Sequence, residues 1–182
     1  KARCLSFHGA NIWDFTNVNF EDFWEEDFVR IGYNYRMTDL QAAIGIVQLK
    51  RFTELTEKKC RVIQEYNRLL SNASDKLFLP PENIEKLPSN TSLQQYVVVL
   101  KEGGKRKRDE IITLARKKGI FLMTGGYCIP SHSLWKDYDV KWNENDFPSS
   151  LFAKDSIISL PLFSTLTLSE VKEVCDLLLD TI

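Results

Sequence analysis

The sequence predicts an α/β (α+β) fold: a short antiparallel sheet covered on one side by helices. Three observations carry that prediction. Tyr96-Val97-Val98-Val99 is continuously apolar, as a central strand should be. Ile157-Ile158-Ser159-Leu160 is a second short strand candidate. Around them, apolar residues recur at helical spacing over Phe52 to Leu70, Ile111 to Ala115 and Val171 to Ile182.

Taken in order, residues 1 to 9 read as the end of a helix stopping at Gly9. Asn11 to Asp27 is rich in aromatics and acids without period and reads as a long loop, followed by a short strand at Phe28 to Ile31. Thr38 or Asp39 then caps a helix, since either has a short side-chain oxygen that can accept a first-turn N–H. Leu40, Ala42, Ala43, Ile44, Ile46, Val47 and Leu49 cover almost its whole circumference, the pattern of a buried helix. Phe52, Leu55, Val62, Ile63, Tyr66, Leu69 and Leu70 make the next helix amphipathic, ending near Ser71-Asn72. Leu77 to Pro88 reads as irregular because Pro80, Pro81 and Pro88 forbid helix.

After the central strand, Gly103-Gly104 turns the chain, and Lys105-Arg106-Lys107-Arg108 opens a helix that Gly119 ends. Asp109-Glu110 follow the basic run at once, so it reads as a solvated helix start rather than a nucleic-acid site. Ile120 to Met123 is a short strand, Phe147-Pro148 opens a short helix through Ala153, and Thr167 or Ser169 caps the last helix.

Composition narrows the function classes. Lys+Arg number 24 and Asp+Glu 25, a net charge of −1, which gives no bulk attraction to nucleic acid or anionic membrane. No apolar run approaches the roughly 20 residues of a membrane span, and no secretory leader pattern opens the chain. Cys4, Cys60, Cys128 and Cys175 are scattered, and with only two histidines they make no zinc pattern. They read as small hydrophobes in a reducing, cytoplasmic compartment.

Two stretches are candidates for chemistry. Tyr33-Asn34-Tyr35-Arg36 precedes a helix N-terminus, where unpaired N–H groups favour anions. An arginine there suits a phosphate or carboxylate, and the alternative is an ordinary capped turn with Arg36 on the surface. Thr124 to His132 carries the glycine pair Gly125-Gly126, which allows close approach of backbone to ligand, together with Tyr127 and His132. His132 reads equally as a substrate contact or a solvated loop histidine.

The run Gly32-Tyr33-Asn34-Tyr35-Arg36-Met37-Thr38-Asp39-Leu40-Gln41-Ala42-Ala43-Ile44-Gly45, followed by Gln48-Leu49-Lys50-Arg51, resembles the signature of the DegT/DnrJ sugar aminotransferases. Weaker echoes are Lys1, Arg3, Leu5, His8 and Gly9, then Asp146-Phe147-Pro148 and Ser159-Leu160-Pro161-Leu162. The resemblance covers nearly the whole chain but only the C-terminal half of a typical member. It implies the aspartate-aminotransferase fold, with residues 1–50 the tail of the large cofactor-binding domain and residues 51–182 the small C-terminal domain. It implies pyridoxal 5'-phosphate as cofactor, an amino-acid donor and a nucleotide-sugar acceptor, and a homodimer whose site is shared between subunits. By the same resemblance Asn34 binds the cofactor phosphate of the other subunit. Arg36 reaches the donor carboxylate or the nucleotide-sugar, and Tyr33, Tyr35, Tyr127 and His132 lie beside the substrate. The family's Schiff-base lysine falls upstream of Lys1, so no catalytic residue is expected in this chain and it is expected to be inactive alone. Gly126 stands where the family frequently has a histidine, which leaves the donor and the sugar open. The alternatives are a truncated, non-catalytic binding or interaction module and, more weakly, a nucleic-acid domain using Lys105 to Arg108.

Overall fold

The computed structural model describes residues 2–10, 28–80, 93–138 and 143–182. The aromatic loop from Asn11 to Asp27, Pro81 to Pro88, and part of the Trp135 to Asn145 loop lie outside the described residues. The chain divides into two units, Lys1–Arg51 and Phe52–Ile182.

In the first unit, helix α1 (Ala2–Ser6) ends in a tight turn in which the Gly9 N–H donates to Cys4 O at 2.8 Å. Gly9 has φ +86. Its backbone crosses that of Gly32 so closely that a Cβ on Gly32 would stand 2.2 Å from Gly9 N. Only two glycines allow two backbones to meet in this way. The strand expected at Phe28 to Ile31 does not form. Phe28 makes one bridge to Ala10, and Ile31 is 93% exposed.

Helix α2 (Asp39–Lys50) is capped by Thr38, not Asp39. The Gln41 N–H donates to Thr38 Oγ1 at 3.3 Å, and Gln41 Oε1 accepts from the Thr38 N–H at 3.0 Å, a reciprocal capping box. The expectation that α2 is buried fails for this chain. None of its residues is buried, and Leu40 and Leu49 are each 73% exposed. Apolar circumference measures a demand for burial; it does not say which surface meets it.

In the second unit, α3 (Phe52–Leu70) runs its full predicted length and a 3-10 turn follows at Ser71–Ala73. The sheet has the order β1-β2-β4-β3, with every pair antiparallel. Its strands are β1 (Leu77–Phe78), β2 (Tyr96–Leu100), β3 (Met123–Thr124) and β4 (Ile157–Leu160). Leu77-Phe78 therefore joins the sheet instead of being irregular. It precedes Pro80, so its N–H groups are intact for pairing with Val99 and Leu100. Strand β3 begins at Met123, later than Ile120, because Gly119 and Ile120 are spent closing helix α4 (Gly104–Lys117).

On β2 and β4 alternate residues are buried: Tyr96, Val98 and Leu100, then Ile158 and Leu160. They meet Val62, Tyr66 and Leu70 of α3, Ile111 and Ala115 of α4, and Val171, Val174 and Leu178 of α6 (Leu168–Thr181). Thr167 caps α6, again with a capping box, here to Glu170. The Tyr66 hydroxyl donates to Pro161 O at 3.0 Å and the Tyr96 hydroxyl to Asn67 Oδ1 at 2.7 Å. Two buried phenols are thereby satisfied.

Helix α5 (Pro148–Ser156) outruns its expected end at Ala153. The basic run is not wholly solvated either. Lys105 pairs with Asp109 at 2.5 Å on the surface, but Arg108 is only 6% exposed. Its guanidinium bonds Asp109 and the carbonyl oxygen of Lys154, so it links α4 to the last turn of α5. A cation at a helix C-terminus satisfies carbonyls that have no partner within the helix.

Candidate functional site

The first candidate stretch is extended. The Tyr33 N–H donates to Leu5 O at 2.7 Å, the His8 N–H to Tyr33 O at 2.9 Å and the Tyr35 N–H to Ser6 O at 2.9 Å. Extended backbone has a side-chain period of two, so Tyr33 and Tyr35 share one face while Asn34 and Arg36 share the other. The tyrosine rings stack at 4.9 Å between centroids and 4° between planes. Opposite them, Arg36 Nε donates to Asn34 Oδ1 at 3.0 Å, and the guanidinium lies 5.1 Å from the Phe7 ring centroid. All four side chains are exposed. Phe7 is a member of the site that the sequence reading missed. It is 29 positions from Arg36, and no local pattern joins the two.

The helix N-terminus contributes less than its position suggests. Thr38 already takes the Gln41 N–H, and Asp39 places an acid in the first turn. The exposed side-chain donors beside this helix start are those of Arg36 and Asn34. Asn34 uses Oδ1 to accept from Arg36, which leaves its Nδ2 donors without a partner among the described residues. Arg36 has no carboxylate partner among the described residues. A fixed guanidinium beside a free amide donor is a donor set for oxyanions.

The second candidate stretch lies in the other unit. Gly125 does approach something closely, but that something is the sheet. A Cβ on Gly125 would stand 2.9 Å from Val97 Cγ1 and 3.0 Å from Ile157 Cγ1. Beyond it, Tyr127 and His132 meet with ring centroids 5.8 Å apart, both exposed, while Cys128 between them is fully buried. The structure thus brings together Asn34 with Arg36, Tyr33 with Tyr35, and Tyr127 with His132. A cavity of about 520 Å3 lies elsewhere in the second unit, lined by Phe121, Met123, Leu162, Phe163, Glu170 and Lys118 among others, and none of the candidate residues reaches it.

The four cysteines are unpaired, and no group of three potential metal ligands occurs among the described residues. No helix among the described residues is long and apolar enough to cross a membrane.

Residues 1–179 match the sequence profile of the DegT/DnrJ/EryC1/StrS aminotransferase family. The chain belongs to that family. A relative from Methanocaldococcus jannaschii, the uncharacterized protein MJ1066, is 27% identical over 176 residues, which cover 96% of this chain and 44% of the archaeal one. Among solved structures, Spr1654 of Streptococcus pneumoniae, assigned as a sugar aminotransferase and solved in its PMP form, aligns with a TM-score of 0.75 at 23% identity. That alignment covers 95% of this chain and 40% of Spr1654. PseC of Helicobacter pylori, an aminotransferase involved in the biosynthesis of pseudoaminic acid, aligns with a TM-score of 0.72 at 21% identity, covering 98% of this chain and 44% of its own. At these identities the structural likeness is one of fold. The DegT/DnrJ chain described here has the fold of part of an aminotransferase and spans less than half the length of these relatives.

Proposed function

We propose that this DegT/DnrJ chain is the C-terminal part of a pyridoxal-phosphate aminotransferase that moves an amino group from an amino acid to a keto-sugar nucleotide. One observation in the structure supports it above the others. Arg36 and Asn34 are exposed and bonded to each other, with donors that no carboxylate takes among the described residues. That donor set fits a phosphate and a carboxylate, the two anions such a reaction must hold. Asn34 would hold the cofactor phosphate through Nδ2. Arg36 would take the donor carboxylate with the planar fork that Nε leaves free. The stacked Tyr33 and Tyr35 would be substrate contacts of the first stretch, and Tyr127 and His132 would be substrate contacts of the second loop.

When bound, the cofactor supplies the electron sink for transamination. This chain's residues position and hold; the lysine and the acid that the chemistry also needs would come from a cofactor-binding region. Residues 1–50 would be the tail of that region, and residues 51–182 the small domain. The site would be completed in a homodimer, with Asn34 and Arg36 facing a neighbouring subunit. Unpaired cysteines suit a cytoplasmic setting.

The test is the absorbance spectrum of the longest polypeptide that the gene produces, purified without added cofactor. A visible band from protein-bound pyridoxal phosphate, lost on adding amino donor and restored on adding keto-sugar acceptor, is the expected result. A protein that neither carries nor takes up the cofactor would overturn the reading in favour of a non-catalytic interaction module.

A further inference from the structure

The Tyr127–His132 loop is fixed from outside itself. Buried Arg108 on α4 grips the carbonyl of Lys154, and so fixes the last turn of α5. From that turn the Lys154 ammonium donates to Ser131 Oγ at 3.0 Å. Ser131 Oγ donates in turn to Cys128 O at 2.8 Å, and the Cys128 side chain is fully buried. The same short segment closes on itself, with the Ser131 N–H on Cys128 O at 3.0 Å and the His132 N–H on Ile129 O at 3.1 Å. At its other end, Gly125 sits against Val97 and Ile157.

Lys154 is half-buried, and its partner among the described residues is a hydroxyl rather than a carboxylate. An ordinary surface lysine adds little by pairing, and it pays the entropy of holding a long side chain still. Here the ammonium spans from a fixed helix end to the residue just before His132.

We propose that Lys154 is a positioning residue for the Tyr127–His132 pair: through Ser131 it holds that loop in a preformed arrangement before any ligand arrives. This rests on the reading of the loop as substrate-facing. Its test needs neither cofactor nor substrate, so it holds or fails separately from that reading.

The experiment is NMR on the full chain, reading amide exchange at Ser131 and His132 and the proton cross-peaks between the Tyr127 and His132 rings. In Lys154→Met, which keeps an unbranched apolar stem, both amides should exchange about tenfold faster or more, and the ring cross-peaks should vanish. Protection in β2 and α6 should stay as in the parent. Lys154→Arg should restore both loop signals, and Ser131→Ala should reproduce the Lys154→Met pattern. Unchanged loop exchange and cross-peaks in Lys154→Met would overturn the proposal. So would an equal loss of protection across β2 and α6, which would make Lys154 a general stabiliser of the unit.

Discussion

Arg36 Nε donates to Asn34 Oδ1 at 3.0 Å, so the two side chains act as one unit. The bond uses the amide oxygen, so Nδ2 and the rest of the guanidinium fork have no hydrogen-bond partner among the described residues. Lysine cannot do both at once, because its ammonium is a point charge without a fork. In a holoenzyme containing this chain, Arg36→Lys should lower kcat/KM for the amino donor about tenfold while thermal unfolding stays as in the parent. Asn34→Ala should raise the cofactor dissociation constant by about the same factor, measured by equilibrium dialysis. Parent-like values in both variants would remove the pair from the site.

Helix α2 makes an opposite kind of prediction. Ile44 is 57% exposed, and no α2 residue is buried within this chain. Ile44→Glu should therefore change the urea-unfolding stability of the chain by less than about 0.5 kcal/mol. It should also reduce any concentration-dependent self-association seen by sedimentation. A loss above about 1 kcal/mol would mean that the helix is packed in the isolated chain.

The two adjacent glycines of the second loop should behave differently. At Gly125 a Cβ meets Val97 and Ile157 near 3 Å, whereas at Gly126 it meets only Ile157 Cδ1 at 4.0 Å. Gly125→Ala should cost about 1–2 kcal/mol through overpacking. Gly126→Ala should stay within about 0.5 kcal/mol of the parent. Adding Val97→Ala should recover part of the Gly125→Ala loss, since it deletes the nearest clashing methyl. Equal costs at the two glycines in denaturant melts would contradict the seating described.

Alkaline stability follows from the core. Burial pushes the Cys175 thiol up to about 12 from an ordinary 9.0, with the Asp176 carboxylate adding to the shift. Burial likewise raises the phenols of Tyr66 and Tyr96. For each, the folded pKa exceeds the unfolded one, so the unfolded chain loses its proton first as pH rises. The contribution is intact below about 9 and is lost as pH climbs towards about 12. Cys175→Ala should flatten the first part of that decline in unfolding free energy against pH. An unchanged profile would show that other groups dominate it.

Much of the architecture was legible in residue order. Tyr96 to Leu100 and Ile157 to Leu160 read as strands because their apolar, β-branched content admits little else. Phe52 to Leu70 and the α6 stripe read as helices by period, and the cap chemistry narrowed the helix starts to Thr38 or Asp39 and to Thr167 or Ser169, of which the structure uses Thr38 and Thr167. The family signature from Gly32 to Gly45 was equally plain, since it is a run of adjacent residues.

The sequence by itself determined most of the elements and their amphipathic faces, and it marked Asn34 and Arg36 as candidates; these readings depend on neighbours a few positions away. Only the tertiary structure decided that Arg108 is buried against the end of α5, that Gly125 seats its loop on the sheet, and that Phe7 lies beneath Arg36. It also decided that none of the α2 residues is buried. Those outcomes depend on contacts between residues tens of positions apart, and periodicity reports how much surface needs covering without naming the partner that covers it.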